Sequence, residues 1–95
     1  MSVAALTSAQ RRRLRAEAHP LHPIAQVGRQ GISEAFLAEV DRALASHELI
    51  KIRLRGSRIE RDEQIVEIAD HLGCSAVSTV GNVAVLYRQH EKEHA

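Results

Sequence analysis

Seven residues, L-I-K-I-R-L-R (49–55), constrain the fold of this chain more than any other stretch. Ile50, Ile52 and Leu54 alternate with Lys51, Arg53 and Arg55, and alternate side chains of an extended strand leave opposite faces. The stretch predicts a strand with one buried face and one wet, basic face. Two amphipathic patterns flank it. Before it, Ile32, Phe36, Val40 and Leu44 recur every four residues with Leu37 beside them. Ser33 is placed to cap that helix, and Glu34 suits its positive end. This helix is expected to fray by Ser46–His47. After the strand, Gly56-Ser57 turns the chain into a helix whose inward stripe is Ile65, Ile68, Ala69 and Leu72, with Gly73 placed to end it.

The remaining elements follow from punctuation. Thr7 and Gln10 have capping-box spacing and open a helix through R-R-R-L-R-A-E-A. Pro20 and Pro23 end it near His19. Its apolar positions are chiefly Leu14 and Ala18, so it is expected to dock lightly and to expose most of its arginines. I-A-Q-V (24–27) reads as a short strand. S-A-V-S-T-V and V-A-V-L-Y-R read as two strands joined through Gly81-Asn82. The order α-β-α-β-α-β-β gives an α/β (α+β) chain, two-layered, with a four-stranded mixed sheet. At least one parallel crossover and a closing hairpin are expected. Residues 1–95 are expected to form one domain, with 1–6 and 89–95 frayed.

Composition narrows the classes. Aromatic residues make up 2% of the chain, Phe36 and Tyr87 alone, so apolar burial must come from Ile, Leu, Val and Ala. The single cysteine, Cys74, excludes an intramolecular disulfide and fits a reducing compartment. No apolar run approaches the roughly 18–20 residues of a membrane span, and an arginine cluster stands where a signal-peptide core would be. A cytoplasmic location is expected, with no membrane association. The net charge of +1 hides a polarity. Residues 1–31 hold five arginines against one carboxylate, whereas residues 32–95 hold eight Lys or Arg against eleven Asp or Glu. A basic end of this kind suits an anionic partner, although exposed helices also carry charge without one.

Three basic features are candidates for binding. In G-R-Q-G (28–31), two glycines lie three apart around Arg29 and Gln30, just before a helix. Without side chains at Gly28 and Gly31 a ligand can approach the backbone, and the helix start offers free amides. Arg29 can fork onto phosphate oxygens. The third glycine of a dinucleotide fingerprint is missing, as is the G-K-[ST] of a phosphate-binding loop, and an ordinary turn fits the same spacing. Arg11, Arg12, Arg13 and Arg15 form the second feature, suited to salt-sensitive phosphate contacts or simply to solvent. Lys51, Arg53 and Arg55 form the third: three cations on one strand face repel one another unless solvated or facing an anion. The six histidines do not make a metal site. His19 and His22, or His90 and His94, lack a cysteine pair or acidic partner at ligand spacing. Cys74 and His71 lie three apart, but nothing marks an oxyanion hole or a third orienting group, and Cys74 reads as a small buried residue. No catalytic residue, metal or cofactor is expected.

Three stretches together resemble a known family. H-P-L-H-P-I-A-Q-V-G-R-Q-G-I-S, H-E-L-I-K-I-R-L and V-G-N-V-A-V-L-Y-R are similar, in order and spacing, to the CRM domain (chloroplast RNA splicing and ribosome maturation), above all to its stand-alone, YhbY-like bacterial members. The resemblance runs from about Thr7 to Arg88. It implies a fold similar to the C-terminal domain of translation initiation factor 3, RNA binding without catalysis, and association with precursors of the large ribosomal subunit. It also implies RNA contact at Gly28, Arg29, Gln30 and Gly31. Family members commonly carry a small polar residue, often Asn, at the third loop position, where this chain has Gln30. The expected partner is ribosomal RNA, bound by a monomer. With so few aromatics, recognition should rest on RNA shape and backbone more than on stacked bases. The alternative is an adaptor that binds a basic ribosomal protein through its acidic second and third helices.

Overall fold

The computed structural model describes residues 6–90. Its elements are α1 (Ser8–Ala18), β1 (Pro23–Gln26), α2 (Glu34–His47), β2 (Leu49–Arg53), α3 (Arg58–Leu72), β3 (Ser75–Val80) and β4 (Val83–Tyr87). The four strands form one mixed sheet in the order β1-β2-β4-β3. β1 and β2 run parallel around α2, and β4 pairs antiparallel with both β2 and β3. The expected fold class and element order are those observed.

Local chemistry explains the boundaries. The Thr7 side chain accepts from the Gln10 amide while the Gln10 side chain accepts from the Thr7 amide, closing the capping box that starts α1. The Ser33 hydroxyl accepts from the Phe36 N–H at 3.1 Å at the start of α2. A second capping box, Ser57 with Glu60, starts α3. α3 ends on Gly73 in the left-handed conformation.

Ile50, Ile52, Ala84 and Leu86 face α2 and α3, where they meet Val40, Leu44 and Ile68 in a fully desolvated cluster. Burial of each such Leu or Ile contributes roughly 1.5–3 kcal/mol. Cys74 is part of this core, 3% exposed. Desolvation pushes its thiol up to about 11, against a smaller opposing effect of Arg88.

The layering departs from expectation. Leu14 and Ala18 of α1 pack with Val77 and Val85 on the other face of the sheet, so α1 adds a third layer there. The basic face of β2 is therefore not uniformly wet. Lys51 is half-buried, and its Nζ donates to the His19 carbonyl at 3.1 Å. A β-bulge explains how α1 is held. Register passes from Ala76↔Leu86 to Ser78↔Val85, leaving Val77 without a cross-strand partner. The Arg11 guanidinium fills the gap, its Nη1 donating to the carbonyls of Ala76 (2.8 Å) and Val77 (2.6 Å).

Some residues expected to fray are anchored. Leu6 packs against the α1 cluster. His90 shares hydrogen bonds with the Leu44 carbonyl and, through its amide, with the Glu48 carboxylate. Residues 1–5 and 91–95, including His94, lie outside the described residues.

Candidate functional site

β1 is an edge strand, and G-R-Q-G emerges from its C-terminal end. The Val27 amide still donates to the Arg53 carbonyl at 2.9 Å, which ties the chain to β2. The backbone then reverses, with the Gly31 N–H donating to the Gly28 carbonyl at 3.0 Å. Arg29 and Gln30 are left exposed at the tip. The two glycines are not equivalent. Gly31 has φ +75°, which favours glycine on conformational grounds alone. Gly28 lies outside the positive-φ region, and a Cβ built on it would meet nothing within 4 Å. Neither conformation nor packing requires a glycine there.

An open groove of about 630 Å³ separates this loop from α2. Its walls include Gln26, Arg29, Ser33, Ala35, Glu39 and Arg42. α2 contributes Ala35, Glu39 and Arg42 because they follow one another at four and three residues, on one face beside the buried stripe of Phe36, Val40 and Leu44. The small side chain of Ala35 keeps the groove open next to the Glu34 and Ala35 amides, which have no intrahelical acceptor, whereas the Phe36 amide is already taken by Ser33. A neighbouring groove along β1 shares Gln26 and Glu39 with the first and adds Arg53.

The sheet thus gathers part of the expected set. Gly28, Arg29, Gln30 and Gly31 line one groove, and Arg53 lines the next, joined to the loop where the Val27 amide meets its carbonyl. Arg55 lies two residues beyond β2, at the same end, with its backbone clamped by the Gln64 amide (N–H to Oε1 3.0 Å, Nε2 to carbonyl 2.6 Å). The α1 arginines do not join them. Arg11 is engaged with the β3 bulge, and Arg13 pairs with Glu17 at 3.4 Å on the same helix. Arg12 and Arg15 are exposed on α1, across the sheet from α2. Lys51 is held by the end of α1. Arg42 was not among the expected residues, and its spacing from Ala35 and Glu39 was the available signal. Arg58 and Arg61 were also missed. They line a concavity with Asp62, Thr79 and Gly81, and Arg61 donates to the Gly56 carbonyl at 2.8 Å.

Among the described residues, no group of three His, Cys, Asp or Glu is placed to hold a metal, and no helix is long and apolar enough to cross a membrane. The buried thiol of Cys74 and the exposed His71 do not form a hydrogen-bonded pair.

The chain matches the CRS1 / YhbY (CRM) domain over residues 6–88. An RNA-binding protein of Haemophilus influenzae is 36% identical over 88 residues, which are 92% of this chain and 89% of that one. The Bacillus subtilis protein named "Probable RNA-binding protein YqeI" is 35% identical over 85 residues, 88% of each chain. A Staphylococcus aureus protein solved in solution, put forward as RNA-binding, superimposes with a TM-score of 0.82 at 30% identity, covering 95% of both chains.

Proposed function

Because the chain belongs to the CRS1 / YhbY (CRM) domain family, we propose that it binds RNA, with the phosphate backbone seated on the G-R-Q-G loop. The observation that carries this reading is Gly28. Its backbone would accept a side chain and its surroundings have room for one, so its bareness is explained by a ligand that comes close. Phosphate oxygens there would meet loop amides, the start of α2 and the Arg29 guanidinium, each suited to negative charge. Arg42, Arg53 and Arg55 extend the cationic surface to either side. Gln30, longer than the small polar residue common at this position, reaches from the loop tip as a hydrogen-bonding group.

The RNA is ribosomal, within a precursor of the large subunit, and the protein acts as a cytoplasmic monomer without catalysis or a cofactor. Burial speaks only against a thiol nucleophile at Cys74, whose pKa desolvation raises to about 11. Crosslinking in cells followed by sequencing of the attached RNA tests the proposal. Enrichment of large-subunit precursor sequences is the expected result. Recovery of no RNA, or of messenger RNA alone, contradicts it.

A further inference from the structure

α3 presents a second surface of opposite character. Its inward stripe is committed to the core through Ile65, Ile68, Ala69 and Leu72. On the outward side, Ile59 is 72% exposed and Val66 60% exposed. These two β-branched residues lie seven apart, on one line of the helix. Asp62, Glu63, Glu67 and Asp70 surround them, all exposed. None of the four is in an ion pair among the described residues. Over its whole length, Arg58–Leu72, the helix holds five carboxylates and two arginines; Arg58 is its first residue, before the apolar line begins, and Arg61 is turned back to the Gly56 carbonyl.

Such a face repels a polyanion, so RNA is the wrong occupant. It also leaves two large apolar side chains in water on the outside of a helix whose inner stripe is already buried. A partner that relieves both conditions carries positive charge interleaved with apolar side chains. We infer that the outer face of α3 docks a basic, amphipathic helical segment of another protein. The fold allows this together with the loop. The sheet order β1-β2-β4-β3 puts G-R-Q-G at the β1 edge, while α3 packs against β3 at the opposite edge and against α2. A second copy of this chain fits less well: its exposed helical cations, Arg12 and Arg15, lie on α1, whose Leu14 and Ala18 are buried, and Arg53 has the single exposed Ile24 beside it.

The test uses the full chain, labelled with nitrogen-15, and a synthetic lysine–leucine helix of about 14 residues, roughly four turns. Saturable amide shifts confined to residues 59–70 are expected. The Ile59→Ser/Val66→Ser and Glu63→Lys/Asp70→Lys variants should each weaken the peptide about tenfold or more, as truncation of an interface anchor does, while keeping the wild-type affinity for an RNA hairpin. Four results overturn the inference. A lysine–serine peptide of equal charge could bind as tightly, showing charge alone at work. The shifts could fall on Glu34 and Glu39 of α2. Residues 59–70 could shift with protein concentration alone, placing a second copy on the face. The RNA hairpin itself could shift residues 59–70.

Discussion

Gly28 and Gly31 share one loop yet differ in what the backbone asks of them. Gly28→Ala adds a methyl group where nothing lies within 4 Å and φ is ordinary. It should hold or slightly raise the melting temperature, because alanine has less freedom to lose on folding, and weaken RNA binding. Gly31→Ala behaves differently, because a φ of +75° costs a side chain about 1–2 kcal/mol. Thermal unfolding of the two variants should therefore differ, although the sequence spacing treats the glycines alike. Arg11 and Arg12 make a matching pair of opposites. Arg11→Ala removes two charge-assisted hydrogen bonds to the bulge carbonyls, one exposed and one part-buried, a loss of about 0.5–1.5 kcal/mol by denaturant titration. Arg12→Ala should cost no stability. The neighbouring arginine letters are identical, and only the bulge at Val77, a tertiary feature with no local signature, distinguishes them. Cys74 should resist iodoacetamide in the folded protein and react on unfolding. Since its folded pKa is raised from 9.0 to about 11, its contribution is fully present below pH 9 and is lost as pH rises towards 11.

Elements were legible where the chemistry that makes them is local. The alternation of 49–55, the four-residue repeat of α2, the capping box at Thr7 and the stop at Gly73 each depend on neighbours in sequence, and each stands where expected except that the strand ends at Arg53, two residues short of Arg55. The start of α3 carries a further capping box at Ser57 and Glu60. Ser57→Ala should destabilise the protein by about 1 kcal/mol. The Glu60 carboxyl lies below its ordinary range because it accepts from the Ser57 amide, with help from the Ser57 side chain and Arg55. A depressed folded pKa means that this contribution is present above the usual carboxylate range and is lost as pH falls through the lowered value. Glu60→Gln should flatten that acid limb, because glutamine still accepts from the amide but carries no charge. Less legible was the side of the sheet that α1 covers. Two apolar positions, Leu14 and Ala18, show that the helix docks without showing where. Its docking depends on Val77 and Val85, some sixty to seventy residues away in sequence.

At the scale of the whole molecule, charge and topology divide the surface. β1 and β2, being parallel, deliver the loop, Arg53 and Arg55 to one end, and α2 brings Arg42 alongside. Arg88 closes the other end. Its guanidinium joins Asp41 of α2 (2.7 Å to Oδ1) and the Leu72 carbonyl of α3 (2.9 Å), so the last strand holds both helices in place. The candidate site was therefore half visible in advance: the loop by its glycines, Arg53 and Arg55 by their alternation. Arg42 was hidden because its relation to the loop exists only once α2 lies over β1. The central claim is that bare backbone at this loop is kept for RNA. The most direct measurement is affinity for large-subunit precursor RNA across a salt series, comparing the wild type with Gly28→Ala and Arg29→Asp/Gln30→Asp, each checked by thermal unfolding. Wild-type affinity should fall steeply with salt, the double variant should lose about tenfold or more from charge reversal at a phosphate contact, Gly28→Ala should lose less, and neither variant should melt lower than the wild type. Equal affinity in all three proteins, or no binding by the wild type even at low salt, would contradict it.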